Sequence, residues 1–186
     1  MSSALSVLDA RLRGWQPDLV GTLLFLRCDD RVLLIRKKRG HGAGKINGPG
    51  GKLHPGETPV VCAVRETLEE TGVEVIDPEL SAVMRFVDLE GDQWLGYIFV
   101  GRCYRGHLRE TPEALPQWVP VSGIPFDEMW EDDRFWLPRL LEGEVLAGDF
   151  LFRAGLLLAH RLHPMGRGAA GRSALMASAW GNITSG

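Results

Sequence analysis

The sequence lacks the features that mark several large classes of protein. Its cysteines, Cys28, Cys62 and Cys103, are few, widely spaced and odd in number, which argues against a disulfide framework and favours a reducing, cytoplasmic compartment. No apolar run approaches the roughly 18 residues that a membrane span requires. With a formal net charge of only -3, the chain also lacks the basic surface of a protein that binds bulk nucleic acid.

The rest of the composition is that of an ordinary globular domain. The chain has 186 residues, of which 45% are hydrophobic and 24% are charged, enough to bury one core. We expect an N-terminal lead over residues 1–16, which mixes charged with apolar residues unlike a signal peptide. A folded domain over 17–163 should follow, and then a flexible C-terminal tail over 164–186, where Gly, Ala and Ser prevail and no acidic residue occurs.

Apolar patterns and turn residues predict a sheet of several strands. Strands are expected over residues 19–27, 31–35, 73–76, 82–89, 94–104, 117–121, 145–152 and 156–162. A helix is expected over 127–141, interrupted by Pro138. Because helices and strands alternate only in part, the pattern favours a mixed sheet flanked by helices over a doubly wound parallel sheet.

One further helix is marked at both ends. Thr58 suits the N-cap, Pro59 the first helical position, and Gly72 the residue after the last turn. At about 100° per residue, an apolar side and an acidic side face away from each other. The apolar side consists of Val61, Val64 and Leu68, and the acidic side of Glu66, Glu69 and Glu70. Such an acidic side is either a solvated surface or a cation site, because neighbouring like charges repel unless a cation lies on them.

The residues before this helix favour the cation site. Four consecutive positive charges, Arg36 to Arg39, precede a segment from Gly40 to Gly51 that contains six glycines. Basic side chains and glycine-rich backbone both hold phosphate, and clustered carboxylates suit Mg²⁺ or Mn²⁺, which bridge protein oxygens and substrate phosphates. Together the three elements predict a metal-dependent phosphate site.

The spacing of these residues resembles the Nudix box. Gly51, Glu57 and the run from Arg65 to Val73 fall at the positions of that signature, except that Thr67 stands where the family usually has an aliphatic residue. The resemblance implies the α/β (α+β) class, with a Nudix α/β/α sandwich in which helices flank a mixed central sheet. It also implies metal-dependent hydrolysis of a nucleoside diphosphate linked to another group, with Mg²⁺ as the cofactor and Mn²⁺ as a possible substitute.

The same resemblance assigns roles by position. Implied catalytic residues are Arg65, Glu66, Glu69 and Glu70, and implied metal ligands are the three glutamates, the Gly50 carbonyl and Glu113. Gly51, Glu57 and Gly72 would shape the box, while Lys37, Gly51 and Lys52 would contact the substrate. Which glutamate acts as a base, if any does, and which phosphorus is attacked stay open.

A second segment, residues 124–138, resembles the branch of the family that hydrolyses oxidised purine nucleoside triphosphates. By position, Trp130 would stack on the purine, and Asp132, Asp133 and Asn47 would read its edge. Two positions depart from that branch: His41 replaces a phenylalanine, and Trp94 replaces a methionine, both in the base pocket. The structural alternative is that these acids merely surround a helix start and that the tryptophan belongs to the core.

The expected reaction converts 8-oxo-dGTP or 2-oxo-dATP to the monophosphate and pyrophosphate. Alternatives are a Nudix hydrolase acting on a nucleotide sugar or a 5′-triphosphorylated RNA, and a sensor that binds a nucleotide without cleaving it. The complete glutamate set argues against the sensor. The expected partner is a small-molecule nucleotide, without stable binding to nucleic acid or membrane, and a monomer is favoured.

Overall fold

The computed structural model describes residues 2–178. Its helices are α1 (Ser2–Leu12), α2 (Pro59–Thr71), α3 (Asp133–Leu141) and α4 (Gly168–Ala177). Its strands are β1 (Leu19–Cys28), β2 (Arg31–Lys37), β3 (Ile46–Asn47), β4 (Val73–Ile76), β5 (Glu79–Asp88), β6 (Trp94–Gly101), β7 (Cys103–Gly106), β8 (Ala114–Pro120), β9 (Glu144–Arg153) and β10 (Leu156–Arg167). Two short 3₁₀ turns, Val121–Gly123 and Phe126–Glu128, precede α3.

A mixed sheet organises the described part of the chain. Its strands run in the order β10-β9-β5-β6-β1-β2-β3, and β8 also pairs with β2. The pairs β1–β6 and β5–β9 are parallel, whereas β5–β6, β9–β10 and β2–β8 are antiparallel. Separately, β4 and β7 form a two-stranded sheet. The predicted mixed sheet flanked by helices is therefore confirmed.

Helices cover both faces of the large sheet. On one face, Trp136 of α3 packs edge-on against Phe25 of β1, with ring centroids 5.8 Å apart. On the other face, Ala63 of α2 and Leu175 of α4 join a second apolar cluster. Leu8 of α1 packs there as well, against strands β5 and β9. No helix among residues 2–178 is long and apolar enough to cross a membrane.

The glycine-rich segment is tied to β1, and this places it beside α2. The amide of Thr22 donates to the carbonyl of Gly51 at 2.8 Å, and the amide of Leu24 donates to that of Pro49 at 2.9 Å. A Cβ on Gly50 would lie 1.9 Å from the carbonyl oxygen of Thr22. Only glycine lets the backbone approach β1 so closely.

Helix α2 begins and ends where predicted, but its predicted apolar side is wrong. Val61 and Leu68 are exposed, at 55% and 42%, and the buried side carries Thr67 and Thr71 instead. Their hydroxyls donate to the carbonyls of Ala63 and Thr67, four residues earlier, at 2.7 and 2.5 Å. Threonine packs here because its hydroxyl finds a partner within the helix. Cys62 and Ala63 complete the buried side, which is therefore rotated away from the predicted one.

Both predicted flanking segments contain regular structure. Residues 2–12 form α1, and its Leu8 is fully buried. Strand β10 continues to Arg167 and α4 follows, with Leu175 fully buried. The predicted flexible tail is therefore wrong for residues 164–178, and residues 179–186 lie outside the described residues. The single strand predicted over 94–104 is also divided, because β6 and β7 belong to different sheets.

Candidate active site

Arg65 holds the acidic side of α2 together. Its guanidinium donates to both carboxylate oxygens of Glu57, at 2.8 and 2.9 Å, and to Glu66 at 2.7 Å. It also reaches Glu69 at 3.3 Å. This hydrogen bonding by Arg65, with the amide of His54, lowers the pKa of Glu57 to about 2. Arg65 thus neutralises part of the repulsion among the glutamates, as an orienting residue would.

The loop backbone meets these glutamates closely. A Cβ on Gly51 would lie 2.3 Å from the carboxyl carbon of Glu66, so any larger residue there would displace that carboxylate. The amide of Gly50 donates to Glu70 at 2.9 Å. This hydrogen bond uses the amide of Gly50. The predicted metal ligand is the other backbone group of the residue, its carbonyl oxygen.

Glu70 is the buried member of the set. Its side chain is 2% exposed, and the Nζ of Lys37 lies 3.5 Å from its carboxylate. Burial raises the pKa of Glu70, the charge of Glu66 adds to the rise, and Lys37 together with the Gly50 amide opposes it. A carboxylate desolvated in this way, with a single lysine beside it, favours a further cation.

The donor atoms fit a hard divalent ion. Carboxylates of Glu66, Glu69 and Glu70 and the Gly50 carbonyl offer oxygen only, which is the set that Mg²⁺ and Mn²⁺ prefer. Within residues 2–178, no three acidic, histidine or cysteine side chains lie arranged as a metal site. Arg65 pairs with Glu66 and Glu69, and Lys37 pairs with Glu70.

The basic run contributes less to this centre than its sequence suggests. Arg36 pairs with Glu128 at 2.5 Å and Lys38 with Glu110 at 2.5 Å, while Arg39 forms an ion pair with Glu113. Lys37 is the member of the run that lines the cavity next to the glutamates. Glu113 is thus engaged by Arg39 in the structure, and its metal role stays a prediction.

One cavity of about 610 Å³ brings most of the remaining predicted residues together. The predicted substrate residues that line it are Lys37, His41, Asn47, Gly51, Lys52, Trp94, Trp130, Asp132 and Asp133. They come from β2, the glycine-rich segment, β6 and the start of α3, positions far apart in the chain. Phe86, Ile98 and Trp136 add apolar walls. The cavity therefore runs from Lys37 and Gly50, which contact Glu70, to an apolar end that contains two carboxyl groups.

Those two carboxyl groups are almost completely buried. Asp132 and Asp133 are 3% and 2% exposed. The indole Nε1 of Trp136 donates to Asp132 at 2.8 Å, and the amide of Trp130 donates to Asp133 at 3.0 Å. Burial raises the pKa of Asp132 to about 6, and burial together with the charge of Asp132 raises the pKa of Asp133 well above its ordinary value. Because the charge of Asp132 opposes ionisation of Asp133, Asp133 is the member of the pair that holds a proton more readily.

Lys45 lies beside Trp130, and its importance was not predicted from the sequence. Its Nζ lies 4.8 Å from the ring centroid of Trp130 and donates to the carbonyl of Met129 at 3.2 Å. Its charge lowers the pKa of both Asp132 and Asp133. The signal was present, since Lys45 is the lysine inside the glycine-rich segment. Nothing local distinguished it from a solvated side chain.

The fold and the glutamate helix define a hydrolase of the Nudix class. A family model described as NUDIX domain matches residues 17–140. An oxidized purine nucleoside triphosphate hydrolase of Danio rerio is 38% identical over 143 residues, which cover 76% of this chain and 92% of the relative. A protein of the same name from Mus musculus is 38% identical over 133 residues, covering 71% of this chain and 85% of the relative.

Comparison with solved structures supports the same family fold. A crystal structure of a MutT protein from Bacillus halodurans has a TM-score of 0.71 at 27% identity, covering 77% of this chain and 97% of that chain. The chain belongs to the Nudix hydrolase family, so the resemblance of residues 51–73 to the Nudix box is confirmed. Nudix hydrolases generally need a divalent metal, in keeping with the oxygen donors described above.

Proposed function

We propose that the protein hydrolyses oxidised purine nucleoside triphosphates, of the 8-oxo-dGTP and 2-oxo-dATP type, to the monophosphate and pyrophosphate. Such a reaction removes damaged nucleotides from the pool before a polymerase uses them. The observation that carries the proposal is the adjacent pair of buried carboxyl groups, Asp132 and Asp133, in a cavity that Lys37 and Gly50 also line. Both of these residues contact the Nudix glutamate Glu70. The names of the relatives from zebrafish and mouse support it.

The carboxyl pair suits an oxidised purine because it offers a donor and an acceptor side by side. A protonated Asp133 donates to a purine carbonyl, and an ionised Asp132 accepts from ring or exocyclic N–H groups. Moving the proton from one carboxyl to the other exchanges the pattern, so that one site accepts both an oxidised guanine and an oxidised adenine. Asn47 adds a donor, because its carbonyl oxygen already accepts from the Gly48 amide at 2.8 Å.

The other end of the cavity suits the phosphates. Lys37 and Lys52 supply positive charge there, and the backbone from Gly50 to Gly51 borders the same space. We propose Mg²⁺ as the metal, with Mn²⁺ as a substitute, held by Glu66, Glu69, Glu70 and the Gly50 carbonyl. When bound, such an ion neutralises phosphate charge and makes a bound water easier to deprotonate. Arg65 then acts by keeping the carboxylates oriented.

A substrate panel tests the proposal. Purified protein with Mg²⁺ is given dGTP, 8-oxo-dGTP, 2-oxo-dATP, ADP-ribose, a nucleotide sugar and a 5′-triphosphorylated RNA, and released pyrophosphate or phosphate is measured. We expect the oxidised purines to be preferred, and Asp132→Asn and Asp133→Asn to change the ranking and the pH profile. Equal rates on dGTP and 8-oxo-dGTP would contradict the proposed substrate and leave the Nudix assignment intact.

Three further expectations belong to the proposal. The partner is a small-molecule nucleotide, the protein acts in the cytoplasm, and it acts as a monomer. A single mass corresponding to 20.6 kDa in light scattering would support the monomer. A larger mass that persists on dilution would contradict it.

A further inference from the structure

His41 stacks on both tryptophans of the cavity. The centroid of its imidazole is 5.5 Å from that of Trp94, with 28° between the ring planes, and 5.2 Å from that of Trp130, with 13° between the planes. One imidazole therefore covers part of a face of each indole. Those are the aromatic faces of the cavity on which an incoming base would stack.

The imidazole is held far less firmly than the two indoles. Trp94 belongs to β6, where it pairs with Leu19 and Phe86 on the neighbouring strands. The backbone amide of Trp130 donates a hydrogen bond to the carboxylate of Asp133, and its ring contacts Lys45. His41 is exposed, and among the described residues no hydrogen bond to its imidazole is found.

The turn that carries His41 leaves space around its side chain. Gly40 and Gly44, on either side, have φ angles of +75° and +88°, and a Cβ added at either glycine would have nothing within 4 Å. Backbone hydrogen bonds from Ala43 to Gly40 and from Gly44 to Lys37 close the turn. The side-chain torsions of His41 can therefore carry the imidazole away from the indoles without a change in this backbone.

We propose that His41 occupies the base-stacking surface of Trp94 and Trp130 in the free protein, and that a bound purine displaces it. The inference rests on the proposed function, because it takes a purine nucleotide as the ligand. The imidazole must give up its two ring contacts whichever base arrives. His41 therefore lowers the affinity for every purine by the same factor, and base preference is left to Asp132 and Asp133.

The first test measures binding by isothermal titration calorimetry without metal, so that nothing is turned over. In the His41→Ala variant the dissociation constants of dGMP and 8-oxo-dGMP should both fall about tenfold. The reason is that the base no longer has to break the one to two aromatic contacts that the imidazole makes with the indoles. Inorganic pyrophosphate, which has no base, should bind both proteins equally. His41→Phe keeps a ring on the indoles and should not gain affinity. Unchanged or weaker nucleotide binding by His41→Ala would overturn the inference.

The second test follows the ring itself by NMR. Ring currents of the two indoles should shift the imidazole protons of His41 upfield in the free protein, and the resonances are assigned by their loss in His41→Ala. Adding 8-oxo-dGMP should return them towards their ordinary position, whereas pyrophosphate should not. Resonances that stay upfield with nucleotide bound would refute displacement.

The two proposals fail separately. If 8-oxo-dGTP is not hydrolysed but 8-oxo-dGMP moves the His41 resonances, the substrate proposal fails and the displacement stands. If 8-oxo-dGTP is hydrolysed with the expected preference and the resonances do not move, the displacement fails by itself.

Discussion

Replacing Asp132 by asparagine should stabilise the folded protein at high pH. Burial raises the pKa of Asp132 from 3.8 to about 6, and at 1.36 kcal/mol per pKa unit this corresponds to about 3 kcal/mol. The folded state binds the proton more tightly than the unfolded state does. Stability from this group is therefore complete below pH 3.8 and is lost as the pH rises through about 6.

The variant removes this loss while keeping the neighbouring contact. The amide oxygen of Asn at position 132 still accepts from the indole Nε1 of Trp136, which lies 2.8 Å from the carboxylate. We expect the free energy of unfolding of Asp132→Asn to exceed that of the wild type by about 3 kcal/mol at pH 8. Near pH 4 the difference should be small, because wild-type Asp132 is then protonated in the folded state.

Urea unfolding at pH 4 and pH 8, followed by tryptophan fluorescence, measures both differences. Asp127→Asn is the matched control, since Asp127 is 97% exposed and pairs with Arg134 at the surface. Its variant should change stability little at either pH. The reasoning would be refuted if Asp132→Asn were no more stable than the wild type at pH 8, or if the difference were the same at both pH values.

Three other substitutions test separate parts of the structure. Gly51→Ala places a Cβ 2.3 Å from the carboxyl carbon of Glu66, so hydrolysis should be lost; near-normal turnover would contradict the close packing. Trp130→Leu should weaken 8-oxo-dGMP binding at least about tenfold in calorimetry, since stacking contributes about 1–3 kcal/mol per base; unchanged affinity would refute the platform. Leu175→Ala should cost about 2–5 kcal/mol in urea unfolding, against almost nothing for the exposed neighbour Met176→Ala; equal, small effects would refute a docked α4.

Much of the site was predictable because its signals are local. The ends of α2 follow from Thr58, Pro59 and Gly72, and Gly72 has the left-handed conformation expected of a residue after the last turn, with φ +81°. The shared position of the glutamates on one helix follows from their spacing. The base end was predicted through resemblance, and in the structure Trp130 lines the same cavity as Gly50 and Lys37, the two contacts of Glu70.

Long-range packing accounts for what the sequence did not reveal. Residues 164–178 have a composition typical of a tail, but β10 pairs with β9 as far as Arg167, and α4 then buries Leu175. No local pattern predicts such docking. The basic run shows the same effect of long-range packing. Each of its four charges pairs with an acid from a distant segment, and Lys37, which pairs with Glu70, is the one that lines the cavity.

The departure at His41 shows how one substitution can matter without changing the chemistry. A histidine at this position keeps an aromatic ring over Trp94 and Trp130. The indoles cover part of the otherwise exposed His41 side chain, and this desolvation, with the charges of Lys37 and Lys52, lowers the pKa of His41. A largely exposed imidazole held by ring contacts is a replaceable occupant of an aromatic surface.

The central claim is a preference for oxidised purines, and the ratio of kcat/KM for 8-oxo-dGTP over dGTP tests it most directly. The ratio is measured with Mg²⁺ for the wild type and for Asp132→Asn, with released pyrophosphate as the signal. The account predicts a ratio well above one in the wild type and a changed ratio in the variant. A wild-type ratio of one, or a ratio that Asp132→Asn leaves untouched, would contradict it.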